Sequence, residues 1–223
     1  MTDLAIFDLD GTLHRTEAAL TPAIRMALAD AGAAIPDDDF IESLYGEPIP
    51  DICDALLPGA GEATRESFVR ALRIRQAETV RTSAECYPGI PAALAVLAGT
   101  GWAMAVCSNA GVEYIELVTR ATGIRGFFDE LSGLEGGIGK AERIRDLALR
   151  AGGVAAVVGD RYIDIEAALE CGLPSIGCLW GYGGPDELEG ATEIASEPAR
   201  IPALLEQIRA SRAGGSTAPT PLR

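Results

Sequence analysis

Residues 4–13 read LAIFDLDGTL. Four apolar residues run into Asp8, Leu9 and Asp10, and Gly11 and Thr12 follow. A short apolar run bounded by a turn signal predicts a strand over Leu4–Leu9. Residues two apart on a strand point the same way, so Asp8 and Asp10 are expected to project together from its carboxyl end. Neighbouring carboxylates repel unless a cation or a shared proton lies between them. Such an ending costs stability and therefore points to chemistry.

Working outward, similar apolar runs recur at Trp102–Cys107, Phe127–Leu131, Val154–Gly159, Ser175–Leu179 and, more weakly, Thr192–Ala195. Helical patterns lie between them at Pro91–Leu97, Val112–Thr122, Ala141–Arg150 and Ile163–Cys171, and Pro202–Arg209 follows. This alternation predicts an α/β fold, a doubly wound, Rossmann-like parallel sheet covered by helices. From Thr16 to Ala84 no strand is found. Thr21-Pro22 reads as an N-cap followed by proline at the first helical position, with Gly32 ending that helix. Further helices are expected at Asp37–Tyr45, Asp51–Leu57 and Glu62–Val80. The expected organisation is a catalytic core of residues 1–15 and 85–212, an inserted all-helical cap domain of residues 16–84, and a disordered tail of residues 213–223.

The chain has 223 residues, 48% of them hydrophobic, and a formal charge of −15. That charge argues against nucleic acid as a partner, because a phosphate backbone needs a basic surface. No apolar run reaches the roughly 18–20 residues of a membrane span. No basic segment followed by an apolar one opens the chain, and the five cysteines (53, 86, 107, 171 and 178) form no C-x-x-C pair. A cytoplasmic protein with free thiols is expected. Nothing in the patterning sets an oligomeric state. Arginine carries the positive charge everywhere except at Lys140.

A second acidic cluster follows another buried strand, in AAVVGDRYIDIEAAL (residues 155–169). Asp160 comes just after Val157, Val158 and Gly159, and Asp164 four residues later. If this strand neighbours the first, the carboxylates converge at one sheet edge, where hard oxygen ligands suit Mg²⁺. Ser108 and Asn109 stand past the Trp102–Cys107 strand, with hydroxyl, amide and backbone N–H groups suited to phosphoryl oxygens. Lys140, near a helix start, adds a point charge of the right sign. GLEGGIGKA (residues 133–141) is no P-loop: Leu134 stands where the first glycine belongs, and Ala141 where Ser or Thr should follow the lysine. The only histidine, His14, reads as a solvated flap residue.

DLDGTL, the Ser108-Asn109 pair, the lone Lys140 and GDRYID, in that order, resemble the four motifs of the haloacid dehalogenase superfamily. The helical insert before YPGI and the segment GCLWGYGGPDEL resemble its phosphoglycolate phosphatase-like subfamily. The resemblance implies that Asp8 is the nucleophile forming an aspartyl-phosphate, and Asp10 the acid and then the base. It implies Mg²⁺ held by Asp8, the Asp10 backbone carbonyl and Asp160, with Asp164 behind them. Gly11, Thr12, Ser108, Asn109 and Lys140 would bind the substrate's phosphoryl group. The implied activity is Mg²⁺-dependent hydrolysis of a small phosphorylated metabolite, a phosphoglycolate-like or sugar phosphate monoester. Two alternatives stay open, a phosphosugar mutase on the same fold and a non-enzymatic phospho-acceptor or regulatory protein. The chain departs from the family pattern at His14-Arg15-Thr16 and at Ala141, where proline is common.

Overall fold

The computed structural model describes residues 1–134 and 136–214, except the side chains of 213 and 214. Six parallel strands form one sheet in the order β3-β2-β1-β4-β5-β6. They are β1 (Thr2–Phe7), β2 (Ala103–Cys107), β3 (Glu130–Ser132), β4 (Gly152–Gly159), β5 (Ser175–Cys178) and β6 (Glu193–Ala195). Each coincides with an expected run, with ends displaced by at most three residues. The chain builds outward from β1 to β3, then returns to β4 on the other side of β1. That reversal makes the β1/β4 crevice the topological switch point, where open α/β sheets bind ligands.

Period-two alternation fills both faces of the sheet. Ala5 and Phe7 join Val106, Leu94, Val118 and Leu205 in one buried cluster, whereas Leu4 and Ile6 join Ala105, Ile144, Val157 and Ala168 in another. Helices cover both faces, which is why the strands read as continuous apolar runs.

Between β1 and β2 stand α1 (Glu17–Asp30), α2 (Asp38–Glu42), α3 (Ile49–Leu56), α4 (Glu62–Ser83) and α5 (Ile90–Gly99). The first four bury a core of their own around Ile24, Leu28, Ile41, Tyr45, Phe68 and Leu72. The first helix starts earlier than Thr21-Pro22 suggests. The Thr16 carbonyl accepts from the Ala19 and Leu20 amides at 3.1 and 2.8 Å, and the Tyr182 hydroxyl accepts the Glu17 N–H at 3.0 Å. Pro22 therefore lies inside α1. There it removes only the bond the Ala18 carbonyl would have accepted. Gly32, at φ +66°, does follow the helix end as expected.

The remaining helices are α6 (Val112–Ala121), α7 (Lys140–Ala151), α8 (Tyr162–Cys171) and α9 (Ile201–Gly214). The disordered tail expected from residue 213 lies outside the described residues, apart from 213 and 214, whose backbone continues α9. All five cysteines are unpaired. Among the described residues, no helix is long and apolar enough to cross a membrane.

Candidate active site

Register brings the two acidic stretches together. Phe7 pairs with Val158, and the Asp8 amide donates to the Val158 carbonyl at 2.8 Å. Asp8 and Asp160 thus leave adjacent strands at the switch point. Asp164 follows in the first turn of α8, where its carboxylate accepts the Arg161 amide at 3.1 Å. Asp8, Asp160 and Asp164 are all buried, and one oxygen of each lies within 4.8 Å of the others. Lys140, at the start of α7, reaches both Asp8 and Asp164 at 2.5 Å.

Three carboxylates against one ammonium leave about two negative charges unmatched in a water-poor site. The consequence shows in the ionisation. Burial pushes the Asp8 carboxyl well above the usual carboxylate range; Asp164 and Asp160 push the same way, and Lys140 pulls it down only in part. Burial, and next the Asp164 charge, raise Asp160 to about 7. Burial disfavours the Lys140 ammonium, but Asp164 and Asp8 outweigh it and hold the proton on more firmly than usual. A buried all-oxygen cluster of this charge fits a hard divalent cation.

Asp160 is tightly seated. The Thr12 hydroxyl donates to its Oδ1 at 2.7 Å and the Tyr182 amide to its Oδ2 at 2.9 Å. Glycines surround it: a Cβ on Gly11 would stand 2.2 Å from Oδ2, and one on Gly181 would stand 2.3 Å from the Asp160 Cβ. Gly11 also has φ +85°. Gly11 and Thr12, expected at the substrate, thus shape the seat of Asp160. The Gly11 N–H is taken by the His14 carbonyl at 3.0 Å.

Asp10 has different company. Strand β1 ends at Phe7, so the alternation that would aim Asp8 and Asp10 alike does not reach them. The Asp10 Oδ1 accepts from the Thr16 hydroxyl at 2.8 Å and the Tyr114 hydroxyl at 3.0 Å. Burial, with the Asp10 charge next, keeps the Tyr114 phenol protonated well beyond its ordinary range, so it remains a donor. Asp10 and Ser108 line one small cavity beneath the helical insert.

The Ser108 hydroxyl accepts the Ala110 amide at 3.1 Å. Asn109 is turned to structure: its amide donates to the Gly46 carbonyl of the insert at 3.1 Å and accepts from Arg143 at 3.0 Å. Arg143 is buried and also donates to the carbonyls of Ser108 (2.8 Å) and Ser132 (3.1 Å). It thereby fixes the loops after β2 and β3. Arg161 spans from the core to the insert, donating to Glu187 at 2.7 Å and to the Tyr45 carbonyl, with Glu47 at 3.5 Å. Tyr182 hydrogen-bonds the Glu17 carboxylate and packs edge-on against Tyr45 at 4.8 Å. His14 is fully buried rather than solvated, because its backbone bridges to Asp10 and Cys86 and its Nδ1 meets the Glu85 carbonyl at 2.9 Å.

Tyr114, Arg143, Arg161 and Tyr182 are not singled out by the sequence, and Thr16, marked there only as part of a departure from the family pattern, proves to hold Asp10. The one local signal for Tyr182 is its place in the glycine-rich GYGG, residues 181–184.

Similarity to known proteins agrees with this geometry. The tyrosine-protein kinase PtkA of Mycobacterium tuberculosis is 27% identical over 212 residues, covering 92% of this chain and 72% of that one. The phosphoglycolate phosphatase of Agrobacterium fabrum is 31% identical over 224 residues, covering 93% and 94%. The crystal structure of a predicted phosphoglycolate phosphatase from Haemophilus somnus 129pt shares the fold, with a TM-score of 0.81 at 23% identity and coverage of 92% and 98%. The family profile of haloacid dehalogenase-like hydrolases matches residues 5–178. The chain belongs to the haloacid dehalogenase-like hydrolases.

Proposed function

We propose that this hydrolase is a Mg²⁺-dependent phosphatase acting on a small phosphorylated metabolite, with residues 16–84 as a cap over the site. One observation carries the reading: a buried carboxylate cluster with an unmatched charge sits beside a second, separately held carboxyl at the switch point. The phosphatase relatives support it.

Asp8 is the nucleophile. An Asp8 oxygen bonds to phosphorus as the ester P–O bond breaks, giving an aspartyl-phosphate. Asp10 delivers a proton to the departing alkoxide, then takes one from the water that cleaves the acyl phosphate. Lys140 is close enough to steady the transferring phosphoryl oxygens while holding Asp8. Asp8, Asp160, Asp164 and the Asp10 carbonyl would hold Mg²⁺, which when bound offsets the negative charge on nucleophile and phosphate. Burial and its acidic neighbours disfavour the ionised state that Asp8 needs, and a bound dication would favour it. The cap excludes bulk water from the acyl phosphate. The free state of all five cysteines supports a reducing, cytoplasmic setting.

The test is a panel of phosphorylated metabolites assayed for phosphate release with Mg²⁺ and with a chelator. Hydrolysis that needs Mg²⁺ and is lost in Asp8→Asn, with the fold retained by circular dichroism, is the expected result. Full activity in Asp8→Asn overturns the assignment. The kinase relative adds one arm, incubation with ATP and a tyrosine peptide, in which peptide phosphorylation in place of hydrolysis overturns the phosphatase reading.

A further inference from the structure

Beneath the insert, on the Asp10 side of the site, lies a small, partly open space of about 50 Å³. Asp10 and Ser108 line it on the core side, so whatever leaves the phosphorus toward the Asp10 acid enters it. The insert lines it with the buried side chains of Leu20, Ile24, Ile52 and Leu72. Its charged lining residues are Asp10 and Glu47, both acidic, and neither lysine nor arginine lines it. Two guanidiniums touch its lining residues and both are committed, Arg161 to Glu187, Glu47 and the Tyr45 carbonyl, and Arg143 to Asn109 and the Ser108 and Ser132 carbonyls. Gln76 and Tyr114 stand at its outer limit, where they also border a groove of about 440 Å³ between α4 and α6. That groove continues the apolar lining with Val69, Ala77 and Leu117, and its two charged lining residues, Arg73 and Glu113, are of opposite sign.

In the inner space an anionic group would be desolvated against apolar side chains and two carboxylates, with no cation in its lining to receive it. A neutral one with an apolar body loses nothing of that kind and gains burial. We propose that the site selects phosphate monoesters of uncharged, largely apolar alcohols and rejects those carrying a carboxylate or a second phosphoryl group. The alcohol's proximal carbons occupy the small inner space and any longer body runs out between α4 and α6. This selectivity rests on the phosphatase reading and sharpens it. It separates this chain's substrate from phosphoglycolate, the substrate in its relatives' names, and from the bisphosphates a phosphosugar mutase must hold.

The test compares kcat/KM of the full chain, with Mg²⁺ at neutral pH, for n-butyl phosphate, 2-phosphoglycolate and fructose 1,6-bisphosphate. The butyl ester is expected to exceed both anionic esters by about tenfold or more, the scale on which an unpaired buried group discriminates. Gln76→Arg, which brings a cation to the rim, is expected to raise kcat/KM for 2-phosphoglycolate relative to the butyl ester. Equal or faster turnover of 2-phosphoglycolate by the unmodified chain overturns the selectivity and leaves the phosphatase reading standing. Absence of hydrolysis of every ester, p-nitrophenyl phosphate included, overturns both. The comparison on the unmodified chain decides the matter even if the variant does not fold.

Discussion

The Tyr114 hydroxyl donates to Asp10 across 3.0 Å, joining a core helix to the carboxyl that must trade protons with the leaving group. With Thr16 donating to the same oxygen at 2.8 Å, Oδ1 is fixed by two donors and Oδ2 is left for the proton. A carboxyl free to rotate would spend part of its time misaligned. Tyr114→Phe keeps the ring and removes the donor. It is expected to lower kcat by about ten- to a hundredfold with KM little changed, roughly the worth of one hydrogen bond to a charged group. A KM effect alone would reduce Tyr114 to a cavity wall.

Much of this site was legible because its central carboxylates and Lys140 sit at the ends of strong local patterns. Asp8 and Asp160 terminate apolar runs, and Lys140 opens a helix after a glycine-rich turn. Parallel strands buried on both faces announce themselves, so the sheet was legible too. Tyr114 was not. It lies on an amphipathic helix 104 residues from Asp10, and nothing local marks one helical tyrosine as facing a carboxyl. His14 was misread for the complementary reason: a polar residue after a turn looks solvated, and only the Glu85–Cys86 backbone, far along the chain, buries it. Thr12 is expected at the substrate, and its hydroxyl holds Asp160, a contact across 148 residues that no local pattern marks.

Lys140 bridges two buried carboxylates at once. Lys140→Met keeps the stem and deletes the charge, leaving Asp8 and Asp164 facing each other unpaired. Removing one partner of a buried ion pair costs about 3–5 kcal/mol, and that is the expected loss in urea unfolding of the metal-free protein at neutral pH. Saturating Mg²⁺ should recover part of it, because a cation at the cluster takes over the compensation. Unchanged stability in the chelator would show that Lys140 is not needed to offset the cluster.

Asp160 ties stability to pH. Burial, and next the Asp164 charge, raise its carboxyl to about 7, although Thr12 and Tyr182 donate to it and Lys140 pulls the other way; Asp8 and Arg161 also face it. Between the ordinary carboxylate range and about 7 the folded chain keeps a proton that the unfolded chain releases. This contribution is therefore fully present below the unfolded pKa and lost as pH rises through about 7. Asp8, also raised, acts in the same direction. In thermal melts with chelator, Tm should fall from pH 5 to pH 8. Mg²⁺ competes with the proton, so its stabilising shift should be larger at pH 8 than at pH 5. Asp160→Asn should flatten the first trend and diminish the second. A metal-free Tm that climbs over this interval contradicts the assignment.

Gly11 offers a test of how closely the seat of Asp160 is built. An alanine there meets two separate penalties, the left-handed backbone at φ +85° and a Cβ 2.2 Å from the Asp160 Oδ2 and 2.7 Å from the Tyr182 ring. Gly32 supplies the control, since it has φ +66° but nothing within 4 Å of an added Cβ. Gly32→Ala should cost only the backbone term, about 1–2 kcal/mol, and leave kcat untouched. Gly11→Ala should destabilise further, because Asp160 is hemmed in by Gly181 and Gly183 and cannot retreat. Its displaced carboxylate should also lower activity by about 100-fold or more and weaken the Mg²⁺-dependent thermal shift, as losing metal-site geometry does. Equal effects of the two alanines on activity would mean that Asp160 relaxes without consequence, and its role at the metal would fall with that result.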